Sequence, residues 1–333
     1  MAISRRAILA GAALAPLFGR SAAADRPRFV GAIADDQGYA IRAITLGGER
    51  LWETRTPGRG HGFAIGQGRL VAFARRPGSL ALLLDAASGR VLSEIDPPAG
   101  CTFNGHGVFA AAGDRLFATV TRGSDDSGWV SVHAGEAGWR SVDAWPSLGQ
   151  DPHEILRRGA LLIVANGGWA EGRMPEAGEP VTSSLVVLDS HDGRAVAQRP
   201  PPPELAALSL RHMVLYRDGV AVAAQTRDAG LPTVLVFERG DLRSLPALPL
   251  AGYCGSIAAN DRAICVASPI AGVALVLEQD GTILDQTALT DVCGAVAAGD
   301  GFLLSSGHGV LAGPNGQRQV SALRWDNHLA ALV

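Results

Sequence analysis

Short apolar runs alternate with Gly/Asp/Arg/Asn turns along nearly the whole chain: 63–65 then 70–74, 108–111 then 116–120, 155–156 then 160–165. Runs this short, joined by tight turns, predict hairpins of short strands. Two further runs follow in most units, such as 80–84 then 90–95, and 234–237 then 242–248. Four strands per unit, recurring about every 45 residues where no insertion intervenes, is the spacing of a β-propeller.

The residue that opens each unit is also repeated. Histidine stands there in Arg59-Gly60-His61-Gly62-Phe63, Asn104-Gly105-His106-Gly107, Asp151-Pro152-His153-Glu154, Leu210-Arg211-His212 and Asp326-Asn327-His328. The same position recurs without histidine at Gly255 and Gly294, which makes seven units. After the last of these positions only one strand's worth of chain, residues 326–333, remains, whereas 28–34, 39–46 and 49–54 form three strands with no such position in front. The sequence therefore predicts an all-β, seven-bladed propeller whose ring closes by pairing the C-terminal strand with the N-terminal three, covering edges that would otherwise stay open.

In a propeller the first residues of the innermost strands ring one mouth of the channel, and the last residues of the antiparallel second strands return to it. The five histidines are thus expected at one mouth, together with Asp35, Arg75, Thr121, Asn166, Gln225, Ser268 and Ser306. Converging imidazoles suit copper, iron or zinc. We take His61, His106, His153, His212 and His328 as the candidate metal ligands, with Glu154, Arg211, Asp326, Asn327 and His308 in the same funnel. Neutral imidazole is the ligating form, so metal affinity is expected to fall as pH drops through roughly 6.5. The competing reading is structural: in WD-type propellers a Gly-His pair ahead of the inner strand is a hydrogen-bonding element. His133 and His191 are expected at the surface, and a long loop, residues 167–182, carries Trp169, Arg173 and Met174 towards the mouth as a lid.

Composition narrows the partners. The chain has 333 residues, 47% hydrophobic and 18% charged, enough apolar material for a large core. It opens with Ser4-Arg5-Arg6-Ala7-Ile8-Leu9, a modest apolar stretch and Ala22-Ala23-Ala24, which reads as a twin-arginine export signal over 1–24 ahead of one domain over 25–333. Periplasmic delivery is the expectation. Without the signal, 26 arginines face 32 acids, a charge of about −6 that argues against nucleic acid. No later apolar segment is long enough to span a bilayer, and a monomer is expected. The four cysteines do not form a disulfide framework. Cys101 is placed in a connecting loop and Cys265 in a buried strand, while Cys254 and Cys293 stand one residue before their unit openings as free thiols, either one a candidate soft ligand. No Gly-x-Ser-x-Gly, Cys-x-x-Cys-His, His-Glu-x-x-His or phosphate-loop motif is present, which removes the usual hydrolase, covalent-haem and nucleotide readings.

The histidine segments above, with Ala165-Asn166-Gly167-Gly168, Gly255-Ser256-Ile257, Asp291-Val292-Cys293-Gly294 and Trp325-Asp326-Asn327-His328-Leu329, resemble the family named for domain of unknown function 1513 over essentially the whole mature chain. The resemblance implies an exported propeller of Gram-negative bacteria encoded beside imelysin-type and dihaem-peroxidase-like proteins of iron uptake, and so periplasmic iron-uptake partners. The loop over 167–182 lacks the histidine associated with related sequences. The arrangement is also similar to that of nitrous oxide reductases, which place a histidine-ligated copper cluster at the hub of a seven-bladed propeller; their second copper domain has no counterpart here. The first reading is therefore a metal-binding, iron-handling propeller. Two others stay open: an enzyme, lactonase-like or redox, using the same funnel, and a scaffold for neighbouring iron-uptake proteins.

Overall fold

The computed structural model describes residues 28–332, apart from 170–172, 175, 177, 178, 180 and 315. The described residues form seven four-stranded antiparallel sheets. Blade 1 combines β28 (Arg324–Leu332) with β1 (Arg28–Asp35), β2 (Gly38–Thr45) and β3 (Arg50–Thr56), in the order β28-β1-β2-β3. The remaining inner strands are β4 (Gly60–Gly66), β8 (Cys101–Phe109), β12 (Pro152–Arg158), β16 (Ser209–Tyr216), β20 (Ser256–Ala259) and β24 (Val292–Ala298), opening blades 2 to 7. Each touches the next around the hub, and β28 completes the ring between β24 and β4.

Closure by the C-terminal strand is as the sequence implies. β28 pairs antiparallel with β1, from Arg28 opposite Leu332 to Ala34 opposite Arg324. Val333, the last residue of the expected strand, lies outside the described residues. The export signal over 1–24 does too.

Apolar packing lies between blades as much as within them. Phe29, Ile33 and Ala40 of blade 1 pack against Val296, Leu303 and Leu311 of blade 7. Val71 and Phe73 of blade 2 meet Phe103 and Leu116 of blade 3. Such interfaces recur around the ring, so every blade is buried on both faces and its middle strands are largely apolar, with polar exceptions such as Arg42, Ser131 and His133. Cys101 is the first residue of β8, not part of a loop.

What positions the centre is an irregularity shared by the histidine-bearing strands. Pairing shifts between Gly60 and Phe63, Phe103 and Gly107, Pro152 and Glu154, Leu210 and His212, and Gly31 and Ile33 opposite residues 326–328. Each shift is a β-bulge at or beside the histidine. A bulge releases a residue from the two-residue alternation and re-aims its side chain, here into the hub. β24, which bears no histidine, is bulged in the same place between Val292 and Gly294, and β20 carries no such shift.

Candidate metal centre

The five histidines meet. His61, His106, His153 and His212 are each at most 5% exposed, and His328 is half-buried. Ring centroids lie 4.5 Å apart for His212 and His328, 4.6 Å for His153 and His212, 4.7 Å for His61 and His328, and 4.9 Å for His61 and His106. The ligating atoms of His61, His106 and His153 all lie within 4.8 Å of one another, as do those of His106, His212 and His328. His106 belongs to both groups.

Glycine makes this proximity sterically feasible. A Cβ on Gly105, which has φ of +98°, would stand 2.6 Å from the His61 ring, and one on Gly62 would stand 2.7 Å from His106 Nδ1. At the units without histidine the room is gone: a Cβ on Gly294 would press on Ser305 Oγ and stand 3.3 Å from Leu329. Five blades therefore send a histidine to the hub, while blades 6 and 7 have glycine at the matching position.

Six ring nitrogens in this cluster, His61 Nδ1, His106 Nε2, both of His153, His212 Nδ1 and His328 Nε2, are buried with no hydrogen-bond partner among the described residues. A structural Gly-His element would have one. Leaving a buried polar atom unpaired costs about 1–3 kcal/mol, so the cluster is poorly explained by hydrogen bonding. Burial, and then the positive charge of neighbouring groups, holds these imidazoles far below the usual histidine value; His212 and His328 are brought down to about 3. All five are neutral near pH 7. The expected loss of ligating form at roughly pH 6.5 is thus corrected: in the folded protein protons compete only in more acidic solution.

Glu154 stands between two of the rings, with Oε1 3.7 Å from His106 Nδ1 and Oε2 3.5 Å from His212 Nδ1. It accepts the Met213 backbone N–H at 2.8 Å, and burial pushes its pKa up to about 7. The cluster thus offers imidazole nitrogens and one carboxylate.

Beside it is a cavity of about 280 Å³ lined by His61, His153, His212, Arg75, Arg76, Arg211, Gln225, Tyr253, Asn327, Trp169 and Met174. Arg211 is 1% exposed, ion-pairs with Asp151, and stacks on Trp169 at 3.7 Å. Arg76 shares the same Asp151 carboxylate. Asp326 pairs with Arg59 and lies 3.8 Å from Arg75. Trp169 and Met174 bring the long loop to the mouth, as its sequence suggests; Arg173 is exposed.

Not every expected funnel residue arrives. Asp35 turns to Arg55, whose hydrogen bonds hold its carboxyl down to about 2. Thr121 exchanges hydrogen bonds with Asn104, Asn166 donates to Ser147 O, Ser306 to Thr290 O and Ser268 to Leu250 O. His308 is exposed beside Thr290 and Arg318 in a separate groove. Cys254 and Cys293 are free thiols hydrogen-bonded to Thr233 and to backbone carbonyls, and burial pushes each up to about 12, so neither supplies a thiolate. His133 corrects the surface expectation. It is fully buried in the third strand of blade 3, with Nε2 3.0 Å from Ser131 Oγ and Nδ1 3.0 Å from Trp139 O. His191 is an exposed turn residue, as expected. Arg76 and Tyr253 were not anticipated; the Arg75-Arg76 doublet ending a second strand was the available signal for the first.

Among solved structures the fold is similar to that of hydrazine synthase from Kuenenia stuttgartiensis, 14% identical, with a TM-score of 0.62 over 85% of this chain and 89% of that one. It is also similar to BamB from Moraxella catarrhalis, 14% identical, with a TM-score of 0.52 over 87% of this chain and 81% of that one. At such identity the likeness is of fold alone. No curated protein matches the chain. Among the described residues no helix is long and apolar enough to cross a membrane. The model of the family described as "Protein of unknown function (DUF1513)" matches residues 54–332, and with the propeller and its histidine segments in place the chain belongs to that family.

Proposed function

We propose that this protein is an exported, periplasmic metal-binding propeller that holds a transition metal, iron by preference, at the five-histidine hub. The observation that carries the reading is the set of six buried ring nitrogens without hydrogen-bond partners. A metal ion is the group that would satisfy several of them at once. Mixed imidazole and carboxylate donors favour iron over a soft thiolate-seeking ion, and the thiols stand apart as neutral groups. The family resemblance, with its iron-uptake neighbourhood, supports the same metal; copper is the alternative. Export rests on Arg5-Arg6 and the apolar stretch behind them.

The test is elemental analysis of protein recovered from the periplasm, followed by titration of the metal-free protein with iron(II), copper(II) and zinc(II). Stoichiometric iron, lost in His106→Ala, is the expected result. If all five alanine variants bind metal as the parent does while melting earlier, the histidines are structural and the proposal is wrong. Replacing Arg5 and Arg6 by lysine should stop export; normal delivery would point to the general secretory route.

A further inference from the structure

The cavity beside the histidines has an unusual charge arrangement. Three guanidinium groups, Arg75, Arg76 and Arg211, line it. Only Asp151 is shared between Arg76 and Arg211, and Asp326, the acid nearest Arg75, is already held by Arg59. Arg211 lines this space, is 1% exposed, and its Nε has no hydrogen-bond partner, so a fully buried cation keeps an unused donor beside the metal-ligand candidates. Gln225, buried in the same lining, gives its amide N–H to Cys254 O, and Tyr253 and Asn327 also line the cavity.

Adding a metal cation worsens this imbalance. Five neutral imidazoles bring no negative charge; Glu154 lies beside two of them, and Asp326, which also acts on His328, is already held by Arg59. Positive charges crowded into a low-dielectric hub repel one another strongly. A bound anion would reverse this, and guanidinium groups are suited to planar carboxylates because they offer paired donors.

We propose that the arginine-lined cavity is a binding site for a small carboxylate anion that bridges the guanidinium groups of Arg75, Arg76 and Arg211 to the metal at the histidine cluster, so that anion and metal bind synergistically. The proposal rests on the metal reading above for its second half only. The cavity of about 280 Å³ is near the lower end of small-molecule sites, a size that accommodates a di- or tricarboxylate. Trp169, a residue of the long loop that lines the cavity, stacks on Arg211 and fixes the guanidinium plane. On this view the metal is held by the hub, and the anion completes its coordination from the open side.

Calorimetry with malonate as the probe, and sulfate as a poorly coordinating control, tests this on metal-free and iron(II)-loaded protein under anaerobic conditions. The metal-free protein should bind malonate, and iron loading should tighten malonate at least tenfold while leaving sulfate nearly unchanged. Arg75→Gln is the safer variant, since Asp326 keeps Arg59; it should weaken malonate roughly tenfold, the size of one lost charged hydrogen bond. Arg211→Gln should do more, with a thermal melt to verify its fold. Iron affinity that is the same with and without malonate, in parent and Arg75→Gln alike, overturns the bridge although the metal centre stands. Arg75-dependent malonate binding in a protein that takes up no metal keeps the anion site and removes the metal reading. Absence of malonate binding in both forms of the protein overturns the proposal altogether.

Discussion

Two regions of this propeller bury histidine, and they do so in opposite ways. In the third strand of blade 3, His133 has both ring nitrogens hydrogen-bonded, to Ser131 and to the Trp139 carbonyl, and lies against the Phe103 ring. At the hub, five histidines are crowded together with six ring nitrogens unpartnered. Burial alone therefore does not mark a functional histidine. What sets the hub apart is unmet hydrogen-bonding capacity at a ring of bulged strands.

The harshest way to break the comparison is to remove residues 326–333. This takes away His328 and most of β28, so blade 1 loses its inner strand and the ring its closure. The thermal transition should drop by well over ten degrees or vanish; an unchanged melting temperature would refute the closure. Next in size, His106→Ala should weaken metal binding at least a hundredfold, because His106 belongs to both ligand groups, whereas His133→Ala should leave affinity unchanged. Equal losses in the two variants would erase the distinction. A subtler contrast uses apolar replacements in metal-free protein: His153→Leu removes two unpaired nitrogens and should be neutral or stabilising, while His133→Leu strands the Trp139 carbonyl and should cost about 1–3 kcal/mol by urea denaturation.

The smallest effect is the dependence of metal-free stability on pH. Unfolded histidine takes up its proton near pH 6.5, but folded His212 and His328 resist until about 3, so between these values the unfolded chain binds more protons. The stability from neutral hub histidines is complete above about 6.5 and declines as pH falls towards 3. Glu154 acts oppositely: its raised pKa contributes stability that is present below about 4.5 and fades as pH rises through about 7. Five imidazoles outweigh one carboxylate, so urea midpoints should fall from pH 7 to pH 4, and the slope should lessen in His212→Leu. A flat profile would mean that the hub opens to water.

The blades were legible because strand-turn-strand spacing is written into local composition, and the closure because three strands at one end lack the inner strand that the other end has left over. The histidine register was legible for the same reason. The bulges were not, since glycines such as Gly60 and Gly62 permit an extra residue without requiring it. His133 was misread because its place in a third strand suggested exposure, while the Trp139 carbonyl that satisfies it becomes a neighbour only once the following turn folds back. Asp35, Asn166 and Ser306 do end second strands, but polar side chains at strand ends found nearby arginine or backbone partners, and sequence position does not separate that outcome from facing the channel. Arg75, Arg211, Gln225 and Asn327 do line the cavity.

His328 sits on β28, the strand that seals the ring, whereas the other four histidines belong to blades threaded earlier. A metal joining them would act as a rivet across the seam: any motion that lets β28 peel from β1 must also break coordination. Ligand binding that is confined to the sealed form stabilises it in proportion to occupancy. Metal supply would then govern how often the propeller springs open, and a protease acting at that seam would sense the metal status of the surrounding compartment.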